Sequence, residues 1–114
     1  MRDDREWLAD MFEAISNIEK YALRGRDAFL QEELIQVWMR YHFQVLGEAG
    51  RNISGQFKEE YSDIPWSKLI AFRNMLMHHY FAIDLKVVWN IIIQDLPPLK
   101  RQVEAILRQK GEVG

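Results

Sequence analysis

The sequence predicts an all-α fold, an up-and-down bundle of four to five helices. Three observations predict it. Apolar residues recur at spacings of three and four along nearly the whole chain, two-residue alternation is never sustained, and the three prolines are confined to positions 65, 97 and 98. With 114 residues, 48% of them apolar and 28% charged, residues 1–114 read as one globular domain. Two separate cores would each be too small to stand alone.

The elements follow in order. Trp7, Met11, Ile15, Ile18 and Ala22 form one stripe of a first helix over roughly residues 3–24. Gly25 can end it in a left-handed conformation, and Asp27 can cap the next helix. That second helix runs to about Gly50, with Leu30, Leu34, Val37, Tyr41 and Val45 on one face. Ile35, Trp38, Met39, Leu46 and Ala49 form a second apolar set, the pattern of a central or interface helix. The glycines in GEAGRNISGQF make the following stretch permissive, and a short helix is expected through Phe57 to Tyr61. Pro65 suits the first turn of a fourth helix. Asp84 can cap a last helix through Val88, Trp89, Ile92 and Ile93. Pro97 and Pro98 should kink or break it before Val103, Ile106 and Leu107 resume the pattern.

Charge and composition exclude several classes. A formal net charge of -2 argues against a general nucleic-acid coat, so RNA binding would need a local basic patch. Arg40, Arg51, Lys58, Lys68 and Lys86 are candidates for such a rim, or ordinary solvated charges. Without cysteine there is no disulfide, thiolate metal site or thiol nucleophile. MRDDREW is too charged for a signal peptide, and no apolar run approaches the roughly 18 residues of a membrane span. A soluble cytoplasmic protein is expected.

The chemistry concentrates in RNMLMHHY, residues 73–80. On a helical wheel Leu69, Phe72, Leu76 and His79 share one arc, the expected core face, while Asn74 and His78 stack opposite. Arg73 and His78 lie about 140° apart around an ideal helix and about 7.5 Å apart along it. They serve one site only if the arginine stem bends, the helix ends near His78, or a second copy of the chain supplies one of them. Each residue also has a structural reading: His79 a core or boundary histidine, Arg73 a surface charge with a packed stem, Tyr80 an amphipathic edge residue. Adjacent histidines point about 100° apart on a helix and make a poor metal pair. With His42 the only other histidine, no metal site is expected.

Histidine can take or return a proton near neutrality, and arginine grips phosphate with a planar fork of donors. Asn74 can hold an imidazole or a phosphate in place. That set suffices for RNA cleavage by attack of a 2′-hydroxyl on the adjacent phosphorus, with no cofactor and no protein nucleophile.

The motif Arg73-Asn74-x-Leu76-x-His78-x-Tyr80-Phe81, followed by Ile83 and Asp84, resembles the HepT-like branch of the HEPN superfamily. LGEAGRNIS at residues 46–54, DIPW at 63–66 and VVWNIIIQDLPPLKRQVEAIL at 87–107 are similar to further segments of that family, so the likeness covers most of residues 3–109. The resemblance implies a HEPN-like homodimer and the toxin of a toxin–antitoxin pair: a metal-independent endoribonuclease acting on cellular RNA. It implies a composite site at the dimer cleft, where Arg73 polarises the scissile phosphate and His78 moves the proton, with Asn74 positioning. The implied partner is an antitoxin of minimal nucleotidyltransferase (MNT) type that AMPylates Tyr80. Added phosphate there would neutralise Arg73 and repel RNA. Glu48, in G-E-A, could pair with Arg73 across helices or be a surface acid. The alternative is a non-catalytic HEPN-like helical module that binds a nucleotide or a partner protein.

Overall fold

The computed structural model describes residues 2–79 and 82–111. Helix α1 (Asp4–Ala22) starts at Asp3, whose carboxylate accepts the Glu6 N–H at 2.9 Å. Its face carries Leu8, Met11, Ile15 and Ile18 wholly out of solvent.

Gly25 has φ +94° and ψ 169°, a positive φ with extended ψ, and stands at the start of α2 (Arg26–Gln31) rather than in a left-handed turn. Asp27 therefore lies within the first turn of α2 and does not cap it. The helix expected from residue 27 to 50 is two helices. Glu32 is extended (φ −100°, ψ 110°) and separates α2 from α3 (Glu33–Asn52). The break leaves carbonyls of α2 without helical partners, and the Gln36 amide donates to two of them, Phe29 O at 3.0 Å and Leu30 O at 3.2 Å. Phe29 is thereby turned into the core, stacked on Trp89 with ring centroids 5.7 Å apart.

Helix α3 continues through Gly47 and Gly50 to Asn52, so these glycines are helical and not part of a loose connection. Of its two apolar faces, Ile35, Met39, Leu46 and Ala49 are buried and Trp38 half-buried. Leu34, Val37 and Tyr41, on the other face, are exposed.

Ser54 caps α4 (Gly55–Glu60) by accepting the Phe57 N–H at 3.2 Å. The same serine is fixed by α1: Asp4 accepts its N–H at 2.8 Å and its hydroxyl at 2.6 Å. Pro65 stands at the N-cap of α5 (Trp66–His78). The Met75 carbonyl accepts the His79 N–H at 2.8 Å as the helix ends. His79 has left the helical path (φ −131°), so it falls off the wheel and is exposed, whereas Leu76 is buried and Leu69 and Phe72 pack against the core as the wheel places them.

Asp84 caps α6 (Leu85–Asn90), accepting the Lys86 N–H at 2.9 Å. The prolines do not break the final rod. One π turn, Ile91–Asp95, links α6 to α7 (Leu96–Gly111). Pro97 and Pro98 lack N–H groups and their rings crowd the preceding turn; a π turn widens the coil just there, and the helix continues. Leu96, Leu99, Val103 and Ile106 then bury the inner face of α7.

Helix α1 packs between α3 and α7, and α3 packs between α1 and α5. Among the described residues there is no strand, and no helix is long and apolar enough to cross a membrane.

Candidate functional site

The site begins with a missing side chain. Where α3 crosses α5, a β-carbon built on Gly47 would stand 2.2 Å from Arg73 Cβ and 2.6 Å from its Cγ. Only glycine admits the arginine stem this close. The guanidinium then lies across α3 with its side chain 18% exposed, and Nη2 reaches Glu48 Oε2 at 2.9 Å. On its own helix, Nη1 donates to Asn74 Oδ1 at 3.1 Å. The Glu48 contact is an ion pair and not an aligned hydrogen bond: Glu48 Oε2 and Arg73 Nε are both buried with no hydrogen-bond partner among the described residues. Asn52 steadies the carboxylate from the other side, donating to Glu48 Oε1 at 3.2 Å and to the Glu48 carbonyl at 2.8 Å.

Of the pair of readings for Glu48, the structure places it against Arg73. Of the five residues considered for a basic rim, Arg51 approaches this cluster, with Nη1 4.0 Å from Glu48 Oε2. Asn74 is exposed apart from its bond to Arg73, and His78 is exposed on the last residue of α5. The His78 side chain makes no hydrogen bond among the described residues, so the chain joins Arg73, Asn74 and Glu48 but leaves the imidazole at the helix end, open to a ligand. Tyr80 lies outside the described residues.

Beside the Glu48–Arg73 pair is a groove of about 280 Å³. Trp7 and Asp10 come to it from α1, Gln44, Val45 and Ala49 from α3, and Met77 from α5. In the sequence Trp7 reads only as part of a core stripe, Met77 as apolar surface flanking Asn74 and His78, and Gln44 has no role. The signal that could have found the crossing is Gly47 itself, a glycine inside an otherwise strong helical pattern, which marks a close approach of another element.

His42 is not part of this cluster. It is buried, with its ring 4.4 Å from Trp38 and 5.0 Å from Tyr41. Burial lowers its pKa from the ordinary histidine value, and Glu13 opposes that shift.

A guanidinium fixed at a groove, one and a half turns from an open imidazole, is suited to holding a phosphodiester and moving a proton beside it. The chain's relatives carry ribonuclease names. The family described as "Ribonuclease HepT-like" matches residues 11–106. The chain is 32% identical over 106 residues to "Probable ribonuclease HepT" of Thermococcus cleftensis, covering 92% of this chain and 96% of that one. It is 29% identical over 106 residues to "Putative RNase MJ1380" of Methanocaldococcus jannaschii, covering 92% and 97%. No solved structure matches the chain significantly. With most of its length matched by the family, the chain belongs to the HepT-like ribonucleases.

Proposed function

We propose that the chain is a metal-independent endoribonuclease acting on cellular RNA, and the toxin of a pair whose antitoxin is a minimal nucleotidyltransferase. The observation that carries this reading is the guanidinium of Arg73, oriented at a groove by Glu48 and Asn74, with the exposed His78 imidazole on the same short helix. In the reaction, Arg73 binds the non-bridging oxygens of the scissile phosphate and stabilises charge as it builds on phosphorus. His78 takes the proton of the 2′-hydroxyl. The 2′-oxygen attacks phosphorus, the bond to the 5′-oxygen breaks, and the imidazolium returns a proton to that leaving oxygen. The products are a 2′,3′-cyclic phosphate and a 5′-hydroxyl.

Two copies of the chain complete the site in this reading. Exposed Leu34, Val37 and Tyr41 run along α3 at positions i, i+3 and i+7, an apolar face that a second copy would cover. That face leads along α3 toward Gln44 and Glu48, so pairing there would bring two groove regions together and let Arg73 of one copy work with His78 of the other. AMPylation of Tyr80 by the antitoxin would place negative phosphate two residues from His78 and compete for Arg73.

The test is cleavage of a mixed-sequence RNA in excess chelator. Wild type should yield 2′,3′-cyclic phosphate ends, and Arg73→Ala and His78→Ala should each lose at least a hundredfold in rate while keeping the wild-type circular dichroism. A His78→Ala protein that cuts as well as wild type removes the imidazole from the mechanism. Folded wild type that binds RNA without cutting it favours the non-catalytic helical module, for which the cancellation of Arg73 by Glu48 would be the reason. Co-expression with the antitoxin should raise the intact mass by AMP units in wild type and not in Tyr80→Phe.

A further inference from the structure

We propose that the groove beside Arg73 is a nucleobase subsite, in which one base of a single-stranded RNA stacks on Trp7 and is read by the amide of Gln44. The proposal rests on the ribonuclease reading for its substrate class, but its residues lie outside the arginine–histidine motif.

Four observations carry it. The groove, of about 280 Å³, borders on Arg73, so a base inside it belongs to a nucleotide whose phosphate lies at the guanidinium. Its walls suit a flat apolar ring with polar edges. Trp7 offers an indole, Met77 a thioether with 42% of the residue exposed, and Val45 and Ala49 offer apolar surface between them. Gln44, half-buried at the groove, has no hydrogen-bond partner among the described residues. A glutamine amide presents a donor and an acceptor side by side, the pairing that fits the edge of an adenine.

The charges at the groove agree. A bare carboxylate would repel an incoming phosphate, but both acids here are already engaged. Asp10 is paired with Arg2 at 2.6 Å, and Glu48 with Arg73 at 2.9 Å. The guanidinium of Arg2 lies 4.1 Å from the centre of the Trp7 ring, which braces the indole from a position outside the groove lining. Met77 and Arg73 both line the groove from α5, so a base held here presents its own sugar and phosphate to the guanidinium. Stacking on an aromatic face and hydrogen bonding at a base edge are the usual means of reading single-stranded RNA.

The test separates binding from cutting. Fluorescein-labelled homo-oligomers of A, C, G and U, fully 2′-O-methylated so that they resist cleavage, are titrated with wild type, Trp7→Ala, Trp7→Phe and Gln44→Ala, read by anisotropy. Wild type should bind and prefer the adenine oligomer. Trp7→Ala should weaken all four by roughly tenfold or more, and Trp7→Phe should restore most of that loss. Gln44→Ala should bind all four alike. Thermal melts check Trp7→Ala for folding; if it is unfolded, Trp7→Phe and Gln44→Ala still decide. Wild type that binds none of the oligomers, or variants that bind all four as wild type does, overturn the subsite. Such an outcome with His78-dependent cleavage intact leaves the nuclease reading standing, whereas Trp7-dependent binding without cleavage of ordinary RNA leaves the subsite and removes the nuclease.

Discussion

Gly47 on α3 and Arg73 on α5 touch where their helices cross, and a β-carbon at position 47 would overlap the arginine's Cβ at 2.2 Å. Two effects oppose each other in a Gly47→Ala variant. Alanine favours an interior helical position over glycine by about 1 kcal/mol. Overpacking costs about 1–3 kcal/mol, and here the obstruction is the root of a side chain, which cannot rotate away. The clash should win. Gly50 is the internal control, because its β-carbon would meet nothing closer than Leu69 Cδ1 at 3.9 Å. Urea denaturation should show Gly47→Ala destabilised and Gly50→Ala unchanged or more stable. RNA cleavage should fall in Gly47→Ala alone, since its arginine is displaced.

Glu48 separates orientation from stability. Its pair with Arg73 is part-exposed on the acid's side, with 44% of that side chain open to solvent, so removing it should change folding stability by no more than about 1 kcal/mol. Cleavage should respond more. Glu48→Ala removes the ion pair and leaves the guanidinium held, among the described side chains, by Asn74 alone, and kcat/KM should drop about tenfold or more. Glu48→Gln keeps an oxygen in reach and should lose less. Equal, wild-type rates in both variants would show that Glu48 does not orient the arginine.

The helical class was legible because it depends on periodicity, which burial imposes on every helix here. Met11, Ile15 and Ile18 on α1, and Asp84 at the start of α6, stand where spacing and cap chemistry put them. The break at Glu32 was not legible. Nothing in residues 27–36 disfavours a helix; the interruption arises because Phe29 gains a place against Trp89, sixty residues on, with Gln36 bonding the freed carbonyls. The π turn before Pro97 has a similar origin, since a sequence announces the missing N–H but not whether the coil snaps or widens. At the site, residue type named Arg73 and Asn74, and Glu48 as one of two readings. Trp7 and Gln44 stayed hidden because they enter the groove from α1 and α3, and only the packing of three helices brings them together.

Ser54 ties the start of α4 to the start of α1. Its hydroxyl accepts the Phe57 N–H and donates to Asp4, while its N–H donates to the same carboxylate. Ser54→Ala should cost about 1 kcal/mol for the cap and leave the Asp4 carboxylate one donor short. Asp4→Asn keeps the geometry but removes the charge from these bonds, and should cost less than Asp4→Ala. Urea midpoints of the three variants check the order.

His42 makes folding stability depend on pH in one direction. Packed on Trp38 and mostly out of water, it is harder to protonate in the folded chain than in the unfolded one, where its pKa is near the ordinary 6.5. Between its lowered folded value and 6.5, the unfolded chain binds a proton that the folded chain does not. Stability therefore rises with pH through this window. The contribution is complete above the unfolded value and is lost as pH falls below it toward the folded one. Glu13 draws the proton back and narrows the window, so Glu13→Gln should widen it. His42→Phe keeps a ring beside Trp38 and has no proton to bind. Urea unfolding measured from pH 8 to pH 5 should give a smaller decline for His42→Phe than for wild type. Identical slopes for the two proteins would mean that His42 titrates alike in both states and is not excluded from water by the Trp38 contact.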